Sequence, residues 1–571
     1  MRRPGLRPKS EWTGRLILAV GLAAAFLLCF IPVLNPDLPW HLAAGKQIVA
    51  TRAIPRTDFL SWTQAGRPWL DFEWGAQLVF YGLERLGGLR AIWLFKSFAF
   101  FGLTLFLLAF LRLWRLPDVW IGLAAPAFMI ALFPDSDARP EVFSLLLFML
   151  QFYALEKRRL GQWRAPRPVW LAAHAALYAV WANFHAGFAV GLALCGLYGL
   201  GALWRGRDAE AAEPLLFAAA GAAGTCLNPY GPRLYEVFWE HWKHLDALHR
   251  IIKEWSAPNF FNPFQRGYWA LVVFSYAGLL LAVARGRDLP AEHLAAIVFF
   301  GLLSSRAFRT TGFSTLVVFP LSLAAWRRLD SPGWWRRARP WALALASALV
   351  VWRTVPALRE IGLFRRSGRL DDLGPARACA VLRAEKATLS GLRLYNPYDW
   401  GGYLDDVLYP DYRVFIDGRY LFAGLLARID SIKDDPIRWK RLMDEEDIGV
   451  ALLINNGHVV RWRNVIFWRA FDALAYPPDE WALIYWDSRA LILVRRDKVP
   501  AEWLEPREFR LIRPHDLRNL GLLVVSGQVA LKDVAAEIAR YHREIGDPKQ
   551  DLILDAWFSE FKRGLGKDGG A

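Results

Sequence analysis

The stretch Asn35 to Trp74, NPDLPWHLAAGKQIVATRAIPRTDFLSWTQAGRPWLDFEW, directly follows the first long apolar run and carries Asp37, His41, Asp58, Asp71 and Glu73 beside Trp40, Trp69 and Trp74. Ionisable residues recur in later polar turns. These hold Asp135, Asp137, Arg139 and Glu141 in PDSDARPE, His185 in WANFHAGF, and Asn228, Tyr230 and Arg233 in NPYGPRLY. Glu254 follows in KEWSAP, then Arg306 and Arg309 in SSRAFRT. Carboxylates beside arginines suit transfer away from a phosphate: the carboxylate takes the proton of an attacking hydroxyl, and arginine, histidine or a divalent cation neutralises the departing group. Where a sugar is transferred, an oxocarbenium-like transition state also gains from a nearby carboxylate and stacked rings. Asp37 with Arg139, Arg306 and Arg309 supplies these parts. Asp135 and Asp137 offer the oxygen ligands that a hard cation such as Mg²⁺ or Mn²⁺ takes.

Each residue also has a plainer reading. Asp37 is a good helix cap, Asp58 in PRTD reads as a turn and cap, and tryptophans at this depth are ordinary interfacial anchors. His185 suits a packing role in a tight hairpin, and Arg139 suits a pair with Glu141. Arg306 and Arg309 suit snorkelling. Asp417-Gly418-Arg419 and Gly401-Gly402 read as tight turns at strand ends, with no Walker or Rossmann spacing beside them.

These residues need a membrane scaffold to share one side. With 55% hydrophobic residues but 22% charged ones, the chain alternates apolar runs with charged punctuation, as polytopic membrane proteins do. The net charge of +16 does not indicate nucleic acid, because Lys and Arg cluster between apolar runs. Four cysteines without pairing or CxxC spacing indicate neither a disulfide framework nor a thiolate metal site. Leu16–Leu34 is long for a signal-peptide core and reads as an uncleaved anchor.

About eleven runs have spanning character. They are Leu16–Leu34, Leu89–Leu111, Val119–Phe133, Val142–Leu155, Val169–Asn183, Ala186–Leu203, Pro214–Leu227, Gly267–Val283, Ala291–Leu303, Gly312–Trp326 and Ala342–Val355. With the amino terminus inside, every inner connection is basic, from Arg2, Arg3 and Arg7 through Arg112 and Arg115 to Arg327, Arg328 and Arg336. The site candidates then all fall on outer turns. An odd number of spans also places the carboxyl-terminal third outside.

Three domains follow: a transmembrane domain 1–357 with external loop 35–88, an extracytoplasmic α/β domain 358–515 and a helical tail 516–571. Strands are predicted at Leu392–Tyr395, Arg413–Ile416, Val450–Ile454, Leu483–Tyr485 and Ala490–Val494. Helices are predicted at Asp371–Lys386, Tyr420–Glu446 and Trp462–Ala475, and the tail reads as one or two helical hairpins.

The opening segment, with ARPEVFS, WANFHAGF, LNPYGPRLY and YNPYDWGGYLDDVLYPDYRVFIDGRY further on, resembles bacterial membrane proteins of the GT-C glycosyltransferase superfamily, related to family 39 mannosyltransferase-like and aminoarabinose transferase-like enzymes. The resemblance covers the chain to about Tyr420. It implies a bacterial plasma-membrane enzyme that moves a sugar from a polyprenyl-phosphate donor to an extracytoplasmic glycan, lipid or protein, with inversion. The catalytic acid in that superfamily lies in the first external loop, often as one of a pair, and Asp37 matches its position. Position 35 is Asn35, so an Asp-x-Asp pair is missing there. On this reading Asp37 and Glu73 are catalytic, and Trp40, His41, Asp58, Arg139, Glu141, His185, Asn228, Tyr230, Arg306 and Arg309 bind substrate. Asp135 and Asp137 are the candidate metal ligands. The alternatives are a transporter for an anionic lipid or sugar, or a scaffold with a degenerate transferase core.

Overall fold

The computed structural model describes residues 9–163, 165–329, 341, 348, 370–455, 459–462, 465–468, 474–514 and 517–568. The chain forms two compact units. One holds Met1–Arg56 and Leu70–Arg369, and the other holds Thr57–Trp69 and Leu370–Ala571. Residues 57–69 of the first loop therefore belong to the second unit, whereas the sequence reading assigned the whole loop to the membrane domain. The carboxyl-terminal helices belong to that unit too.

The first unit is a bundle whose helices arise from apolar runs broken by Pro, Gly and Arg clusters. In order they are α1 (Lys9–Leu28), α2 (Leu38–Thr51), α3 (Trp74–Leu113), α4 (Asp118–Ala131), α5 (Glu141–Arg159), α6 (Arg167–Trp181) and α7 (Phe188–Trp204). Then come α8 (Asp208–Thr225), the short α9 (Glu236–Lys243) and α10 (Leu245–Ile251), α11 (Arg266–Ala284), α12 (Ala291–Arg306) and α13 (Thr311–Arg328). Each expected run among the described residues is helical over most of its length, the first only to Leu28 with residues 29–34 non-helical, and of the run 342–355 only residue 348 is described. Among the described residues three helices, Trp74–Leu113, Pro263–Ala284 and Phe308–Arg328, are long and apolar enough to cross a membrane; Trp12–Leu28, Asp118–Ala131 and Phe188–Trp204 are shorter apolar helices.

Small residues let the bundle close. A Cβ on Gly21 would strike the Gly122 carbonyl, and one on Gly224 would strike that of Ala175, so α1 meets α4 and α8 meets α6 backbone to backbone. Within α3 the backbone leaves helical geometry at Gly87 and Gly88, the latter at φ 62°. A glycine carries that conformation without strain, and it divides the loop-side turns of α3 from the run predicted at Leu89. Hydrogen bonds Leu34–Asp137, Trp74–Asn183, Asn183–Leu227, Arg139–Glu254 and Phe308–Ser256 gather the connections 29–56, 132–140, 182–187, 226–265 and 307–310 at one end of the bundle.

The second unit contains a four-stranded sheet in the order β1-β2-β6-β5. β1 (Arg393–Tyr395) runs parallel to β2 (Ile448–Ile454), while β6 (Ala490–Arg495) pairs antiparallel with β2 and with β5 (Trp481–Trp486). Arg413–Ile416, expected as a strand, joins no sheet; Val414 instead exchanges backbone hydrogen bonds with Leu60 and Trp62 at 3.1 and 3.0 Å. The helix expected from Trp462 is also overturned. VVRW and VIFW, rich in β-branched and aromatic residues, pair as an antiparallel ribbon of β3 (Val459–Trp462) and β4 (Val465–Trp468). The tail folds as three helices, Leu517–Val525, Leu531–Glu544 and Pro548–Asp568.

Candidate active site

The site is built around the start of the first loop. Asn35 is buried; its amide donates to the Ala138 carbonyl at 3.0 Å, and its side-chain oxygen accepts the Asp37 N–H at 3.1 Å. This turn presents Asp37, half-buried, at the N-terminus of α2. The facing loop reciprocates, with the Asp137 carboxylate accepting the backbone N–H of Leu34 at 3.1 Å and that of Ala138 at 2.7 Å. Below it, Lys96 donates to the Ser136 carbonyl at 3.0 Å.

The far end of the loop is pinned as firmly. Trp74 Nε1 donates to Asn183 Oδ1 at 2.8 Å, and Gly75 N–H donates to the Asn183 carbonyl at 2.9 Å. Glu73 therefore lies next to the hairpin that carries His185, with Glu73 Oε1 4.0 Å from His185 Nε2. The network assigns the histidine tautomer. Trp181 Nε1 donates to Ser144 Oγ at 2.6 Å, leaving that hydroxyl to donate to His185 Nδ1 at 2.8 Å, and Gly187 N–H donates there as well at 3.1 Å. The proton is thus on Nε2, toward Glu73. Burial, together with the charge of Arg309, lowers the His185 pKa to about 3, so the ring is neutral.

Two adjacent residues of the long 226–265 connection organise the cations. Glu254 accepts both terminal nitrogens of Arg139, one at 2.6 Å, and Trp255 carries the Arg309 guanidinium 4.7 Å from its ring centre. Burial opposes the charge on both Arg139 and Glu254, but their pairing outweighs it, raising the arginine and lowering the glutamate. Arg139 also acts electrostatically on Asp37, and Arg309 on Glu73 and Glu141. Burial holds Glu73 well above the usual carboxylate range, reinforced by Asp71, Asp37 and Glu141. Burial and the charge of Glu141 do the same for Asp135. His41, stacked on Trp40 at 3.6 Å between ring centres, is kept uncharged by burial and by His185 and Arg139.

Asp37, Trp40, His41, Glu73, Asp135, Arg139, Glu141, His185 and Arg309 are thus brought into one electrostatically linked group. Other expected residues are placed elsewhere. Arg306, at the end of α12, is exposed, and no carboxylate pairs with it among the described residues. Asn228 closes its own turn, donating to the carbonyls of Thr225 and Gly231 and accepting from Tyr230 N–H. Tyr230 braces the loop, its hydroxyl accepting from Asp71 N–H at 2.9 Å and donating to the Pro55 carbonyl at 3.2 Å.

Asp58 lies in the second unit, where it forms a buried ion pair with Arg419 Nη1 at 2.6 Å. Arg419 also pairs with Asp417 at 2.6 Å and lies over Trp69 at 4.6 Å, so Asp417-Gly418-Arg419 is the centre of a charge network and not only a turn. Asp135 and Asp137 are committed to different partners, Asp135 accepting from the Thr311 hydroxyl at 3.1 Å. Among the described residues no group of three or more His, Cys, Asp or Glu is arranged to hold a metal ion. Sequence reasoning gave Glu254 no role and overlooked Ser144 and Trp255. The only signal for the last pair of contacts is the adjacency of an acid and an aromatic in KEW.

The chain shares its overall fold with solved structures of an archaeal oligosaccharyltransferase. The chain is similar to the oligosaccharyltransferase AglB from Archaeoglobus fulgidus, solved with an inhibitory peptide and a dolichol-phosphate, with TM-score 0.56 and 12% identity over 95% of this chain and 87% of that one. In its apo form the Archaeoglobus fulgidus oligosaccharyltransferase matches at TM-score 0.55 and 9% identity, covering 86% and 76%. ArnT from Cupriavidus metallidurans bound to undecaprenyl phosphate matches at TM-score 0.45 and 14% identity, covering 84% and 97%. No family model and no curated protein sequence matches the chain.

Proposed function

We propose that this protein is a glycosyltransferase of the bacterial plasma membrane that takes a sugar from a polyprenyl-phosphate donor and attaches it to an acceptor hydroxyl or amide on the outer face. The observation that carries this reading is Arg139, clasped by Glu254 and coupled to Asp37, in one group with Arg309, which lies over Trp255 and acts on Glu73. The dolichol-phosphate bound by the archaeal neighbour supports a lipid phosphate as the class of donor.

In the proposed reaction Asp37 accepts the acceptor proton as the acceptor atom bonds to the anomeric carbon. The bond from that carbon to the phosphate oxygen breaks, and its electron pair leaves with the polyprenyl phosphate. Attack opposite the leaving group inverts the anomeric centre. Arg139 neutralises the charge that develops on the departing phosphate and Arg309 holds that phosphate throughout, each preorganised by its neighbour in Glu254-Trp255. Glu73, retained in its protonated form, and the Nε2–H of His185 are uncharged donors for the sugar or phosphate oxygens. Asn228 and Tyr230 contribute by holding the loop.

The test is transfer by purified full-length protein in nanodiscs, with a panel of radiolabelled polyprenyl-phosphate sugars and membrane extract as acceptor. Labelled product that requires Asp37 supports the reading. Flux of the labelled lipid across proteoliposomes without product supports a transporter instead.

A further inference from the structure

At the bundle end away from Asp37, where the sequence concentrates its Arg and Lys, the arginines fall into two groups. Arg158, Arg159, Arg205 and Arg207 are ion-paired with Glu213, Glu156, Asp288 and Glu292 at 2.8, 2.8, 2.6 and 2.9 Å. Arg115, Arg327 and Arg328 have no carboxylate within ion-pair distance among the described residues, and all three line a cavity of about 480 Å³. Their positions are fixed by backbone. Arg115 sits at φ 57° just past α3, Arg327 donates to the Trp114 carbonyl, and Arg328 donates to the Asp288 carbonyl at 2.7 Å. A guanidinium has five N–H donors, so a single carbonyl bond orients it and leaves the others available to a ligand.

The remaining walls are of opposite character. Leu279, Ile297 and Leu321, from α11, α12 and α13, make one side apolar. Beside them α11 exposes Leu280, Leu281 and Val283 on its outer face. At the base lies His293, 6% exposed, with Nε2 2.8 Å from Glu156 Oε1; that carboxylate also accepts from Tyr198 at 2.6 Å and Trp114 at 3.1 Å. The polar base is thus internally satisfied and rigid. Unpaired cations at the mouth and aliphatic walls behind them match a phosphate joined to a hydrocarbon chain. A free inorganic anion would have no use for such walls, and the one indole in the lining, Trp114, is tied by its Nε1 to Glu156 at 3.1 Å.

We propose that this cavity binds the head group of an anionic membrane phospholipid, with the phosphate on Arg115, Arg327 and Arg328 and the chains along α11 and α13. Basic pockets between helices at the cytoplasmic surface recognise such lipids, and each arginine there contributes about a fivefold change in affinity. The proposal is independent of the transferase reading, since its residues lie at the other end of the bundle from Asp37.

Full-length protein in detergent is titrated with phosphatidylglycerol, phosphatidylcholine or inorganic phosphate, reading retained lipid by native mass spectrometry and the melting temperature. Wild type is expected to retain phosphatidylglycerol selectively and to melt higher with it. Arg327→Gln and Arg328→Gln should each weaken retention roughly fivefold, whereas Arg112→Gln, outside the cavity, should not. In case the variants fold poorly, photoactivatable phosphatidylglycerol on the wild-type chain should label peptides of α11 and α13. Equal retention of phosphatidylcholine, unchanged retention in the two variants, labelling elsewhere, or displacement by millimolar inorganic phosphate would overturn the lipid assignment.

Discussion

Glu254 holds Arg139 with both carboxylate oxygens across 115 residues of chain. The pair spares Arg139 the cost of being a buried, unmatched cation and aims its guanidinium at the group containing Asp37.

Removing the brace leaves the cation in place but loosens its aim. Glu254→Gln is expected to lower kcat for transfer by roughly a hundredfold, with a smaller change in the donor KM, and Glu254→Asp should restore part of the loss. Steady-state kinetics with varied donor provides the check. An unchanged kcat would remove the positioning role.

Arg309, held over Trp255 at 4.7 Å, is expected to bind donor phosphate in ground state and transition state alike. Arg309→Gln should therefore raise the donor KM by roughly tenfold or more, the scale of one hydrogen bond to a charged group, with kcat little altered. Arg306→Gln, at an exposed position, should change neither.

Glu73 is expected to act uncharged, so Glu73→Gln should keep transfer within about tenfold of wild type, unlike loss of a general base. The sign for pH follows from the raised pKa. Wild type carries the proton to a pH above the usual carboxylate range and loses it, with activity, as pH rises through the folded value. A pH–rate profile of Glu73→Gln should lack that alkaline limb. His185, neutral above about 3, should contribute no limb near pH 6 to 7.

In the second unit, burial and the charge of Asp417 push Asp405 well above its ordinary pKa of 3.8. A raised carboxyl binds its proton more tightly when folded, so stability is lost as pH rises above about 4. Asp405→Asn should raise the melting temperature at pH 8, and the gain should shrink toward pH 4. By contrast, Asp58→Ala leaves Arg419 with Asp417 alone and frees the Leu60 and Ser61 N–H groups, and should cost about 2 to 3 kcal/mol, measured by denaturant or thermal unfolding.

The helical runs were legible because apolar length and charged punctuation are local signals; of the arginines expected beside Asp37, Arg139 is coupled to it while Arg306 is exposed. What was not legible depends on partners distant in sequence. Arg139 lies beside Glu141 in the chain yet pairs with Glu254, and Asp58 looks like a cap in PRTD yet meets Arg419. VIFW carried strand propensity, but its neighbours suggested a helix until Val459–Trp462 was seen to pair with it. Asp135 and Asp137 share a spacing but not their partners, Leu34 and Ala138 donating to Asp137 and Thr311 to Asp135.

The most direct measurement is the single-turnover rate of sugar transfer from a polyprenyl-phosphate donor by Asp37→Asn, compared with wild type in the same nanodiscs. Loss of a general base at that position predicts a rate lower by roughly 10² to 10⁴ with donor binding retained. Transfer at the wild-type rate would contradict the assignment of Asp37 as the group that activates the acceptor.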